Sequence, residues 1–115
     1  MVMHQIKKPS KSIVYLWCYM KKEYYVYLMA SGRNGTLYTG MTSDLIKRVW
    51  QHKTGATDGF TSKYKVNSLV YYEAHGDVME AIKREKNIQA WKRLWKIRLI
   101  EEENPNWDDL YAKIV

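Results

Sequence analysis

One cysteine, Cys18, stands in 115 residues, so no intrachain disulfide can form and a zinc site of several thiolates is excluded. So few thiols fit a reducing compartment. Long apolar runs are also missing: the only sustained one, Ile13 to Met20, is far shorter than the ~20 residues a membrane-spanning helix needs. Lysines precede that run, but its bulky aromatics and the lack of a small-residue cleavage site argue against an export signal. The expectation is a cytoplasmic protein with no membrane segment.

Acidic residues are the next shortage. Twelve Asp and Glu face 19 Lys and Arg, a formal net charge of +7. A field of that sign concentrates polyanions, which makes nucleic acid the leading partner. Apolar residues make up 46% and aromatics 14% of the chain, enough to build a packed core and unlike the composition of a disordered chain.

Met1 to Lys22 follow no periodic template, and Met20 before Lys21 and Lys22 could itself start translation. Residues 1–22 are therefore expected to be a poorly ordered extension, and 23–115 a single domain. Tyr24 to Met29 and Leu37 to Gly40 read as two strands of a hairpin turned at Asn34-Gly35, with the register left open by the long connection. Ser43 can cap a helix over Asp44 to His52, with Gly55 as its stop. A loop containing Gly59 to Lys65 leads to a third strand, Leu69 to Ala74. Asp77 and Glu80 open a second helix to about Trp91, with helical character continuing to Glu103 until Asn104-Pro105 interrupts it. Trp107 to Tyr111 reads as a short last turn packing back.

Val78, Ala81, Ile82 and Ile88 form one stripe of the second helix, and Glu85 lies within it. A carboxylate aimed at a core needs a cation, supplied by a basic side chain, a metal ion or water at a cleft edge. Spacing alone favours an ion pair over a ligand. Arg48 and His52, four apart on the first helix, share a face and could meet a phosphate, although such pairs are commonly solvated. Lys47, Lys53, Lys63, Lys65 and Arg84 are candidate phosphate contacts, giving salt-sensitive, largely sequence-independent binding. Trp91 and Trp95 are read as core rather than stacking platforms.

Taken in order, Tyr25-Val26-Tyr27, Tyr38-Thr39-Gly40, Arg48, His52 and Glu85 resemble the GIY-YIG nuclease superfamily, over residues 23 to about 103. The likeness is greatest to its stand-alone single-domain branch, and includes Asn34-Gly35-Thr36-Leu37-Tyr38 and Arg84-Glu85-Lys86. The resemblance implies an α+β fold, a three-stranded antiparallel sheet flanked by three or more helices. It implies catalytic roles for Tyr27, Tyr38, Arg48, His52 and Glu85, with Glu85 as ligand to one Mg²⁺ or Mn²⁺ held weakly without substrate. Three departures stand out: Tyr25 replaces the family's opening glycine, Thr39 the central isoleucine of the second motif, and Met41 the lysine of the repair-enzyme branch.

The resulting expectation is a metal-dependent endonuclease that cuts DNA phosphodiester bonds by structure, in repair or recombination. The alternatives are a catalytically weak nucleic-acid-binding module and an accessory protein that recruits a larger repair partner. DNA would be held mainly through its phosphates, with a protein partner supplying any further targeting.

Overall fold

The computed structural model describes residues 23–56 and 59–115; the expected extension at 1–22 lies outside them. Among these residues run β1 (Tyr24–Ala30), β2 (Leu37–Thr42), α1 (Leu45–Thr54), α2 (Gly59–Tyr64), β3 (Ser68–His75), α3 (Val78–Ala90), α4 (Arg93–Glu103) and α5 (Tyr111–Ile114). The strands form one antiparallel sheet in the order β2-β1-β3. The expected α+β architecture is present.

β1 is central, and its alternating side chains serve two cores, as the period of two in a strand requires. Val26, Leu28 and Ala30 pack with Ala81 and Ile88 of α3, Ile100 of α4 and Trp107. Tyr27 and Met29 face the other way and pack with Leu45 and Val49 of α1, Val66 and Leu69. The sheet is thus sandwiched, with α3 and α4 on one face and α1 on the other. A bulge between Leu28 and Met29 in the β1–β3 pairing puts Tyr71 opposite Leu28 and Leu69 opposite Met29, so Val70 and Tyr71 both join the α3 face.

The register left open by the sequence is Tyr27 opposite Gly40 and Met29 opposite Tyr38. Asn34, at φ 58°, supplies the left-handed residue of the connecting turn.

Five local expectations are corrected. The cap of α1 is Asp44, not Ser43: its side chain accepts a hydrogen bond from the Lys47 amide, while Gly55, at φ 75°, closes the helix as expected. Residues 59–64 form a short helix rather than a loop. Burial of Thr61 and Val66, with the Val66 amide bonded to the Thr61 carbonyl at 3.0 Å, overrides weak helix propensity.

Helical structure does not run unbroken to Glu103. Trp91 turns extended (ψ 154°) and separates α3 from α4, and no glycine or proline marks the break. Trp91 instead packs beside the Arg84 guanidinium and edge-on to Trp95. Trp95 itself is 48% exposed, so only Trp91 joins the core. The last helix begins at Tyr111, after Trp107 has been buried at φ 58° with its indole N–H bonded to Glu101.

Asn104 does more than interrupt α4. Its buried side-chain amide donates to the Val70 carbonyl at 3.0 Å and the Asp108 carbonyl at 2.9 Å, and its Oδ1 accepts from the Asp108 amide. Asp109 then accepts from the Leu69 amide and pairs with Lys53 of α1. The C-terminal segment is thereby tied to both β3 and the helix that carries Arg48.

Candidate active site

Tyr27 lies at the middle of β1 with 1% of its surface exposed. Directly across the ladder, Gly40 leaves the room its ring occupies: a Cβ there would fall 2.5 Å from the hydroxyl oxygen. The glycine is needed for close approach of an aromatic ring, not for an unusual backbone angle.

Helix α1 crosses the same face. Leu45, Val49 and His52 are its buried residues, and this spacing brings Arg48 and His52 over the Tyr27 hydroxyl. His52 Nε2 lies 2.9 Å from that oxygen, and Arg48 Nε donates to it at 3.4 Å. When Nε2 carries the proton, the phenol oxygen receives two N–H donors. In the other tautomer the hydroxyl donates to the ring nitrogen.

Tyr38 closes the third side. Its ring centroid is 5.1 Å from that of His52 and 6.3 Å from that of Tyr27. Burial works against the Arg48 charge, but the Tyr27 and Tyr38 hydroxyls more than offset it and hold the guanidinium above its ordinary value. Arg48 therefore stays cationic at any working pH. A further partner escaped the reading of the sequence: Gln51 accepts from Arg48 Nη1 at 3.3 Å. Its position three residues after Arg48 on one helix was the available clue.

Glu85 sits differently. It lies on α3, whose buried Ala81 and Ile88 pack on the opposite face of the sheet from Leu45 and Val49 of α1. Ala81 and Ile88 point α3 at the sheet, and Arg84 reaches β3, where its guanidinium grips Glu73. Glu85 is about 100° further round the helix, which turns it towards β2, the edge strand that carries Tyr38. The ion pair that spacing favoured does not form: among the described residues Glu85 makes no hydrogen bond or ion pair, although it is half-buried.

Of the candidate phosphate contacts, Lys47, Lys63 and Lys65 are exposed. Lys53 and Arg84 are instead engaged within the fold, with Asp109 and Glu73, because each has a carboxylate within reach. Among the described residues no group of three or more His, Cys, Asp or Glu is placed to hold a metal ion. A cation here would find one carboxylate, Glu85, with water and phosphate oxygens as its remaining ligands, a set that suits hard divalent ions.

Residues 23–98 match the model of the GIY-YIG catalytic domain. This chain belongs to the GIY-YIG family. The chain is 35% identical to a UPF0213 protein of Staphylococcus saprophyticus over 80 residues, covering 70% of this chain and 96% of that protein. It is 37% identical over 79 residues to UPF0213 proteins of Staphylococcus aureus, covering 69% of this chain and 95% of those. The solution structure of a UPF0213 protein from Bacillus halodurans covers 76% of this chain and 92% of its own, at 25% identity and a TM-score of 0.48.

Membership places the chain among nuclease domains, which act on nucleic acid. Two departures from the family pattern have a local explanation. Tyr25, in place of glycine, donates to Glu23 at 2.8 Å and meets the Tyr72 ring edge-on at 6.5 Å, so its bulk is absorbed beside Tyr27. Met41 packs against the core on the α3 face; a lysine there would share that face with Glu85. Among the described residues no helix is long and apolar enough to cross a membrane.

Proposed function

We propose that this chain is a divalent-metal-dependent endonuclease that hydrolyses DNA phosphodiester bonds, reading DNA structure rather than sequence. The observation that carries this reading is the convergence of Arg48, His52 and Tyr38 on one buried phenol, Tyr27, at the contact point of β1 and α1.

Hydrolysis needs an activated water and a means of offsetting charge on the phosphoryl oxygens. Arg48 supplies the second: its guanidinium is partly exposed and permanently charged, so it can bind a phosphate while remaining bonded to Tyr27. The same cation lies against the Tyr27 oxygen, which in this reading is the base that takes the proton of the attacking water. His52 orients the phenol and can take up its proton. The Tyr38 hydroxyl also bonds Arg48. Glu85 would hold a bound Mg²⁺ or Mn²⁺, whose chemistry is Lewis acidity towards the leaving oxygen. Lys47, Lys63 and Lys65 contact flanking phosphates without reading bases.

The test is cleavage of end-labelled linear, nicked, flap and branched DNA by the full chain with Mg²⁺, Mn²⁺ or EDTA, for wild type, Arg48→Ala and Glu85→Ala. Metal-dependent cutting that both variants lose is the expected result. Salt-dependent DNA binding by all three with no cutting of any substrate would replace the enzyme with a binding module.

A further inference from the structure

Outside the Tyr27 cluster, a second dense set of polar side chains among the described residues surrounds Glu73 on β3. Its two carboxylate oxygens accept from Arg84 Nε at 2.8 Å and Nη2 at 3.1 Å, from the Tyr71 hydroxyl at 2.5 Å, and Oε2 lies 2.7 Å from His75 Nε2. Arg84 also lies over the Trp91 ring, 5.3 Å from its centroid. None of these residues belongs to the proposed chemistry, yet Arg84 is the immediate neighbour of Glu85.

We infer that the Arg84–Glu73 pair is a positioning clamp that sets the roll of α3 and so aims the Glu85 carboxylate; the inference rests on the reading of Glu85 as the metal ligand. The apolar contacts of α3 use two small or branched side chains, Ala81 and Ile88. Such contacts press a helix onto a sheet but resist rotation about its axis weakly, because they are non-directional. A two-pronged guanidinium–carboxylate bond is directional and supplies what they lack. Arg84 and Ala81 with Ile88 pin two neighbouring sectors of the helix, and the sector that remains, towards β2, is the one Glu85 occupies. Tyr71 and His75 also bond the Glu73 carboxylate and so restrict its movement.

Groups that orient a metal ligand indirectly alter metal affinity by about 10- to 100-fold when removed. The clamp can be read without turnover, by titrating Mn²⁺ into the ¹⁵N-labelled full chain and following paramagnetic broadening of the α3 amides. Arg84→Lys keeps the charge and loses the fork, and Glu73→Gln keeps the shape and loses the charge; thermal melts of each report folding. In wild type, broadening centres on Glu85, and it disappears in Glu85→Ala. Both clamp variants are expected to need about tenfold more Mn²⁺ for the same broadening, with cooperative melts and unchanged salt-dependent DNA binding.

If Glu85→Ala broadens like wild type, or wild type does not bind Mn²⁺ near α3, the ligand reading fails and the clamp with it. If Glu85→Ala loses broadening while the clamp variants match wild type, even with lowered melting temperatures, Arg84 and Glu73 only stabilise the fold and the clamp alone is overturned. Should Arg84→Lys not fold, Glu73→Gln and Tyr71→Phe, which removes one hydrogen bond to Glu73, answer the same question.

Discussion

Tyr27 and Gly40 face each other across the β1–β2 ladder, and the ring of the first fills the volume a side chain on the second would take. Gly40→Ala therefore places a methyl 2.5 Å from the phenol oxygen. The ring must move, and it is 1% exposed with His52 behind it. Overpacking of this kind costs about 1–3 kcal/mol, readable in urea unfolding, and the displaced hydroxyl should reduce cleavage more than the stability change alone explains. Wild-type stability with wild-type cleavage would show that the ring has room to retreat.

Arg48→Lys preserves a positive charge but cannot span Tyr27, Gln51 and a phosphate together. Under the proposed mechanism cleavage should fall about 10²- to 10³-fold, with little change in DNA affinity, because the lost interaction strengthens as charge develops. A matching loss in binding would make Arg48 a docking residue instead.

Tyr27→Phe removes the shared oxygen and leaves His52 and Arg48 without their common partner. Single-turnover cleavage should fall at every pH between 6 and 9 by on the order of 10²-fold or more. If the variant cuts normally, the base is elsewhere and Tyr27 is core.

The carboxyl of Asp109 feels burial, which acts to raise its pKa, but Lys53 and the Tyr111 and Leu69 amides outweigh it and hold it below the ordinary 3.8. A depressed carboxyl stabilises the folded state above its unfolded value, and that contribution is lost as pH falls through the folded value. Wild type should therefore lose stability below about pH 4 more steeply than Asp109→Asn. At neutral pH the variant should be less stable by about 1 kcal/mol, the size expected for a partly exposed pair. Parallel pH–stability curves would show that Lys53 contributes nothing through this contact.

Asn104→Ala strands the Val70 carbonyl at the sheet bulge and the Asp108 amide. The Val70 carbonyl is buried, and leaving it unpaired costs about 1–3 kcal/mol, so a marked drop in melting temperature is expected. Asn104→Asp, which keeps an acceptor for Asp108 but no donor for Val70, separates the two bonds.

Much of this protein could be read from residue order. Strands appeared as runs of β-favouring residues. The first and third helices appeared through Gly55 and Asp77, which act on backbone groups within a few residues of themselves. The ordered set Tyr27, Tyr38, Arg48, His52 and Glu85 carried the family. The short helix at Gly59–Tyr64 and the break at Trp91 were not legible: neither has a local signal, and each follows from what the sheet leaves to be covered.

Partners were the other matter for the fold to decide. Spacing gave Glu85 a cation, yet the neighbouring Arg84 turns to Glu73, on the preceding strand, and leaves Glu85 unpaired among the described residues. Lys53 turns likewise to Asp109, far along the chain. Local hydrogen bonds and hydrophobic period are written in short stretches of sequence. Register, roll of a helix and choice of counter-ion depend on groups distant in sequence, whose meeting only the packed sheet determines.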